Sequence, residues 1–203
     1  TKIMLINAFP TPIFSFSLGD GSAKILQDVK EYLLEEEKNK GENDHQFSLK
    51  GVFKRDASDV GWHSPTNLCD LDYQWSKDLK EMLVNLSQSY LEQIKTSLRL
   101  ANDQKVSCWG MLIKQGDMSI PHSHPGCKMS GTIWIDAPVD MEGGELCFQD
   151  PRGGARGDPA MQQPYIKFEP KPNTGVVFPN WLEHYVSPHF SNDTRISIAW
   201  NIK

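Results

Sequence analysis

No apolar run in the 203-residue chain is long enough to cross a bilayer, and no positively charged region followed by an apolar stretch opens it. Both a helical membrane protein and a secreted one are thereby argued against. The four cysteines, Cys69, Cys108, Cys127 and Cys147, form no CxxC pair and no zinc-ribbon spacing, so they read as reduced thiols of a cytoplasmic protein. Basic residues are not in excess: a net charge of −5 and a pI near 5.7 argue against a general nucleic-acid footprint, though not against a local basic groove. Internal repeats and low-complexity tracts are absent. What is present is ordinary for a soluble globular chain, with 38% hydrophobic and 23% charged residues, and the length suits a single domain over 1–203 with a sizeable core.

The organisation changes once along the chain. Two short extended runs, Ile3 to Ile6 and Ile13 to Leu18, are broken by Pro10 and Pro12. Apolar Ile25, Val29 and Leu33 among charges predict a helix over about 22–40, with Ser22 as its N-cap and Gly41 as its stop. Residues 42–70 are polar and turn-rich and read as an irregular loop. Trp75, Leu79, Met82, Leu83, Leu86, Tyr90, Ile94 and Leu98 keep helical spacing and predict a second helix over about 73–99. Beyond it the pattern is β, with strands expected at 105–114, 117–122, 129–136, 144–148, 163–168, 174–178, 184–188 and 194–202. Eight short strands with turns between them fit a two-sheet jelly roll over about 105–203. The fold class is then mainly β with flanking helices (α+β), the helical support at about 20–100 covering the outer face of one sheet. The flexible loop Gly153 to Asp158 is a candidate lid.

The chemistry concentrates near the end. His122 and His124 flank one serine in Pro121-His122-Ser123-His124-Pro125-Gly126; His184 follows 62 residues after His122, and Arg195 lies 11 further on. Two ligands one residue apart on an extended segment project to the same side. A third imidazole from another strand closes one face of a metal and leaves the opposite positions open, as non-haem Fe(II) oxygenases require for a co-substrate and O₂. Arg195 supplies a planar fork for a dicarboxylate co-substrate, and Ser197, two residues on, shares its face on a strand. Each of these residues alone is weak evidence; their order and spacing together point to one site.

Several segments in order, His122-Ser-His124-Pro-Gly, Ser130 to Ile135, Gly144-Glu145-Leu146, Asp150-Pro151-Arg152, Phe178 to His184 and Arg195-Ile196-Ser197, resemble a family of 2-oxoglutarate/Fe(II)-dependent oxygenases of microbes and their phages. The resemblance covers roughly the C-terminal half. It implies a double-stranded β-helix, and oxidation of a substrate coupled to decarboxylation of 2-oxoglutarate to succinate and CO₂, with hydroxylation the commonest outcome. It also places Trp134 on the strand where related enzymes carry a 2-oxoglutarate contact. The wider superfamily has a carboxylate at the position of His124. A three-histidine set of His122, His124 and His184 is the simplest reading of this departure. In a second registration His124-Pro125-Gly126 is the motif, Gly126 stands where the carboxylate would be, and only His124 and His184 are ligands.

Other residues carry less. Asp150 and Arg152 either face a substrate or pair with each other; His63 and His189 read as structural or solvent-exposed and His45 as solvated. The competing function is a cupin-like metal-binding barrel, a 2-oxoglutarate-independent dioxygenase, isomerase or binding module, which has no need of Arg195. A Zn²⁺ hydrolase ranks below it for want of a general base. The implied partners are Fe(II), 2-oxoglutarate, O₂ and a primary substrate, either a small molecule or a protein side chain. Neither that substrate nor the oligomeric state is legible in the sequence.

Overall fold

Leu26, Val29 and Leu33 fall on one face of a helix, and each is buried in one core shared by the helices and a β-sheet. In the computed structural model, which describes residues 4, 9–40, 61–101, 103–154 and 164–203, this helix is α1 (Ala23–Lys40). A single 3-10 turn, Asp20–Ser22, precedes it. Ser22 lies in that turn and its hydroxyl donates back to the Gly19 carbonyl at 2.7 Å, so it does not cap the helix as its residue type suggests. The second helix, α2 (Gln74–Gln93), buries Leu79, Leu83, Tyr90 and Leu91. It is shorter than the periodicity predicts. Lys95 takes a left-handed conformation (φ 56°), the Lys95 N–H reaches the Glu92 carbonyl at 3.0 Å, and the Thr96 N–H reaches that of Leu91 at 3.2 Å. Those two bonds close the helix as a Schellman motif with lysine in the position glycine usually fills. Ile94 and Leu98 continue the spacing but meet no core.

Among the described residues nine strands follow in order: β1 (Phe14–Ser17), β2 (Trp62–His63), β3 (Val106–Ile113), β4 (Met129–Asp136), β5 (Leu146–Gln149), β6 (Tyr165–Phe168), β7 (Thr174–Pro179), β8 (His184–Val186) and β9 (Arg195–Ile202). They form an antiparallel six-stranded sheet, in the order β1-β7-β4-β9-β3-β2, and an antiparallel three-stranded sheet, β6-β5-β8. Two sheets with helices outside the larger one is the jelly-roll architecture the pattern predicted. Two expectations fail locally. Residues 117–122 are not a strand, and β2 lies in a segment read as an irregular loop. The run Ile3–Ile6 (Met4 apart), His45, most of the 42–70 loop and the Ala155–Asp158 part of the expected lid lie outside the described residues.

Alternation along each strand divides the large sheet into two chemistries. On β9, Ile196, Ile198, Trp200 and Ile202 join the core under α1 and α2, as do Met129, Ile133 and Ile135 of β4. The Trp200 indole N–H donates to the Ser87 hydroxyl at 3.0 Å, and that hydroxyl donates to the Leu83 carbonyl at 2.7 Å, which pins α2 to the sheet. The opposite parity, Arg195, Ser197, Ala199 and Asn201 on β9 with Ser130, Thr132 and Trp134 on β4, faces the small sheet. There a second cluster of Trp134, Leu146, Phe148, Val176, Phe178 and Leu182 holds the two sheets together.

The helix side leaves no room at two glycines. A Cβ on Gly131 would lie 2.3 Å from the Trp200 ring, and one on Gly110 would lie 2.2 Å from Leu33. Gly131→Val is therefore expected to destabilise the protein by about 3 kcal/mol or more, the upper range for overpacking a core. Its urea midpoint against that of the unaltered protein measures this.

Candidate metal centre

His122 and His184 face each other as an antiparallel bridge. The His122 N–H donates to the His184 carbonyl at 2.9 Å, and the His184 N–H donates to that of His122 at 3.0 Å. Two residues on, the His124 N–H donates to the Asn180 carbonyl at 2.8 Å, and the Asn180 side-chain amide donates to the His124 carbonyl at 3.3 Å. These ties hold residues 122–124 extended against the turn that leads into β8. A continuous ladder does not form: at the next pair the Val186 N–H goes to the Ser119 hydroxyl at 2.7 Å instead of to a main-chain carbonyl. The sequence argument for a shared side thus holds in geometry, although the strand it assumed is reduced to single ties.

One nitrogen from each of His122, His124 and His184 lies within 4.8 Å of the other two, a spacing that a metal ion can bridge. The ring centroids are 4.4 Å (His122–His184), 5.0 Å (His124–His184) and 5.2 Å (His122–His124) apart. Each Nδ1 already faces an acceptor: the Ile120 carbonyl for His122 at 2.8 Å, the Leu182 carbonyl for His184 at 2.9 Å, and the Asn201 side-chain oxygen for His124 at 2.6 Å. A carbonyl oxygen accepts only, so each Nδ1 carries the proton and each lone pair sits on Nε2. That is the tautomer of a metal-ligating imidazole with its outer hydrogen bond in place.

Electrostatics favour the same state. Burial, reinforced by the neighbouring imidazoles, holds His184 down at about 3, and burial also lowers His122 and His124 below the ordinary histidine value. The three are neutral at neutral pH. With a folded value below the unfolded one, the unfolded chain binds the extra protons. Stability is thus fully present above about 6.5 and is lost as pH falls from there toward the folded value. For the metal-free protein, His184 alone is expected to remove on the order of 3 kcal/mol between pH 7 and pH 4. Urea midpoints across that range, compared with His184→Gln, measure the loss; an identical slope in the variant would assign it elsewhere.

Arg195 and Ser197 share the interior face of β9, where Arg195 is 1% and Ser197 0% exposed. Nε and Nη1 of Arg195, the Ser197 hydroxyl and the Trp134 indole nitrogen are buried without a hydrogen-bond partner among the described residues. Burial lowers the guanidinium to about 10. Trp134 and Ser197 are direct cross-strand partners, so these unmet donors lie side by side. Between them and the histidine end of the face stand Ala199 and Thr132, also cross-strand partners and both small. The Thr132 hydroxyl is spent on the Ile198 carbonyl at 2.8 Å. Unsatisfied buried donors around a cation, with short side chains beside them, make a cradle that suits a carboxylate.

The remaining candidates fall outside this cluster. Gly126 has φ +83° and nothing within 4 Å of where a Cβ would stand, so a side chain there would project into open space. Arg152 pairs with Asp150 at 2.7 Å. His63 and His189 are both buried, neither being solvent-exposed; a His189 ring nitrogen meets the Asp193 carbonyl at 2.8 Å. Sequence reasoning missed Asn201 and Ser130. The Ser130 hydroxyl donates to the Asn201 side-chain oxygen at 2.6 Å and lies 3.1 Å from His124 Nδ1, so the two fix the His124 ring between them. Their signal was available: Asn201 has the parity of Arg195 and Ser197 on one strand, and Ser130 that of Trp134 on another.

The jelly roll thus carries clustered imidazoles at one end of its interior face and a buried arginine at the other. Residues 107–201 match the family described as "Putative 2OG-Fe(II) oxygenase". That segment, 95 of the 203 residues, contains the histidine cluster, the arginine cradle and Asn201, and it is similar to 2OG-Fe(II) oxygenases, which are oxidoreductases. A prolyl-4-hydroxylase of Pseudomonas putida has a similar structure, with a TM-score of 0.63 at 13% identity over 95% of this chain and 93% of that one. So does AviO1 of Streptomyces viridochromogenes, with a TM-score of 0.62 at 15% identity, covering 95% and 89%. A Trichoplax adhaerens prolyl hydroxylase, solved with a fragment of the hypoxia inducible factor oxygen degradation domain, aligns with a TM-score of 0.59 at 12% identity, covering 94% and 82%. At these identities the structures attest the fold. No curated protein sequence matches the chain. Among the described residues no helix is long and apolar enough to cross a membrane.

Proposed function

We propose that the protein is a 2-oxoglutarate-dependent oxygenase that holds Fe(II) on His122, His124 and His184 and oxidises a primary substrate, most commonly by hydroxylation, with release of succinate and CO₂. One observation carries the reading: three neutral imidazoles converge at one end of the same interior face on which a buried arginine keeps two guanidinium nitrogens without a hydrogen-bond partner among the described residues. Fe(II) with 2-oxoglutarate supplies O₂ activation, which no side chain of the protein can. The chain supplies position. Asn201, Ile120 and Leu182 hold the three Nδ1 protons, which leaves the Nε2 lone pairs for the metal. Arg195 receives the distal carboxylate of 2-oxoglutarate, with Ser197 and Trp134 donating beside it. Ala199 and Thr132 leave space for the carbon chain between the two ends. A cupin-like barrel would have no use for such a cradle. Anaerobic titration of Fe(II) and then 2-oxoglutarate tests the reading: a visible charge-transfer band that needs both is expected, and its absence at saturating concentrations would overturn it.

Three substitutions separate the ligand sets. Under the three-histidine arrangement His122→Ala is expected to weaken Fe(II) binding by more than about 100-fold. His122→Asp retains iron with reduced turnover, since the shorter carboxylate reaches less far. Gly126→Asp adds no ligand and leaves iron affinity unchanged. Iron affinities of the three variants decide, and near-normal binding by His122→Ala would instead support the two-histidine registration.

A further inference from the structure

The interior face is unevenly covered. Leu146 and Phe148 of β5 pack with Val176, Phe178 and Trp134, which closes the half over β4 and β7. Over β3 the cover is complete only at Ile113, opposite Arg195. Ser107, Trp109 and Met111, whose cross-strand partners Asn201, Ala199 and Ser197 fix them on the interior face, are each half-buried. Neither Trp109 nor Met111 belongs to either hydrophobic cluster. The Trp109 ring lies 5.9 Å from the His124 ring, tilted by 42°. Because this face is the inside of the barrel, exposure here marks where the space between the sheets opens to solvent, and it opens beside the histidines. Two large apolar side chains left partly wet at that opening forgo burial that they would gain under a ligand.

We propose that Trp109, with Met111 beside it, is the platform on which the primary substrate rests, and that the group it receives is an uncharged, C–H-rich saturated ring or chain. The assignment rests on the oxygenase reading, which makes the space beside His124 the substrate position. The chemistry of the floor selects the class. Ser107, Trp109, Met111, Ala199 and Asn201 bring no formal charge to meet an ionic ligand. The negative face of an indole attracts polarised C–H bonds and repels anions. A cation would also suit the ring but would be placed next to a divalent metal. A neutral C–H face satisfies both constraints.

The test uses the whole protein, metal-free and loaded with Zn(II) as a redox-inert metal plus 2-oxoglutarate, titrated with cyclohexanol as the neutral probe and inorganic phosphate as the charged one. The indole N–H resonance of Trp109, identified by its loss in Trp109→Phe, is followed by NMR. Cyclohexanol is expected to shift that resonance. Trp109→Ala is expected to weaken its binding by about fivefold, with Trp109→Phe, which keeps a ring, weakening it less. Failure of the unaltered protein to take up Zn(II) and 2-oxoglutarate would overturn the oxygenase reading and this assignment with it. Normal uptake with no indole shift, or equal cyclohexanol affinity in Trp109→Ala, would overturn this assignment alone. So would a Trp109 response to phosphate but not to cyclohexanol.

Discussion

His184→Ala and His124→Ala are each expected to lose tight Fe(II) binding, by more than about 100-fold, since removal of an outer hydrogen bond alone commonly lowers metal affinity by 10–100-fold. The two variants differ in what they leave behind. Truncating His184 empties the more buried position, 5% exposed, and removes the ring against which Phe148 and Phe178 pack, with centroids at 5.8 Å and 4.8 Å. It therefore lowers stability as well. Truncating His124 frees the Asn201 oxygen and the Ser130 hydroxyl, which still hydrogen-bond each other at 2.6 Å, so folding is little changed. Equilibrium metal titration beside a denaturation curve separates the effects. Unaltered iron affinity in either variant would remove that histidine from the ligand set.

The second large effect belongs to Arg195, and here function and stability are expected to move in opposite directions. Arg195→Ala should raise the 2-oxoglutarate requirement by about 10- to 100-fold while iron remains bound, because a charge-assisted hydrogen bond contributes about 1.5–3 kcal/mol. Lysine restores only part of this, lacking the planar fork. Without 2-oxoglutarate, however, the guanidinium is a buried charge whose Nε and Nη1 have no hydrogen-bond partner among the described residues. Replacing it by methionine, which fills similar volume without the charge, is expected to raise the thermal midpoint of the protein free of co-substrate. The same variant should show a smaller further rise than the unaltered protein at equal 2-oxoglutarate. A variant with wild-type 2-oxoglutarate dependence would return Arg195 to a structural role and favour the cupin-like reading.

What the sequence shows of this protein, and what it hides, follows from the range of the forces involved. Period-3.6 and period-2 patterns record burial, so α1, most of α2 and seven of the eight expected strands are legible from single residues such as Leu33, Leu83, Ile133 and Ile198. The end of α2 is not, because Lys95 adopts a glycine's conformation and nothing in its chemistry announces it. The strand expected at 117–122 fails because the Asp117 N–H turns back to the Lys114 carbonyl and the Ser119 hydroxyl takes the Val186 N–H, local bonds that apolar alternation does not register. The metal candidates stand out because the histidine pair, the distal histidine and the arginine agree in order and spacing. Asn201, Ser130 and Trp109 do not, since each is ordinary alone and gains its role only from the strand opposite.

The choice of imidazole over carboxylate at position 124 extends beyond ligation. With His122, His124 and His184 as its ligands, an Fe(II) ion would keep a double charge that its three neutral donors do not offset, and the guanidinium of Arg195 would add a further positive charge on the same interior face. Such a chamber attracts anions generally, before any shape is read. Small inorganic anions in a buffer would therefore compete with the co-substrate for this interior more strongly than in a centre with a carboxylate ligand. A His124→Asp variant that kept its iron would relax that competition, so salt tolerance becomes a property written into one side chain of the ligand set.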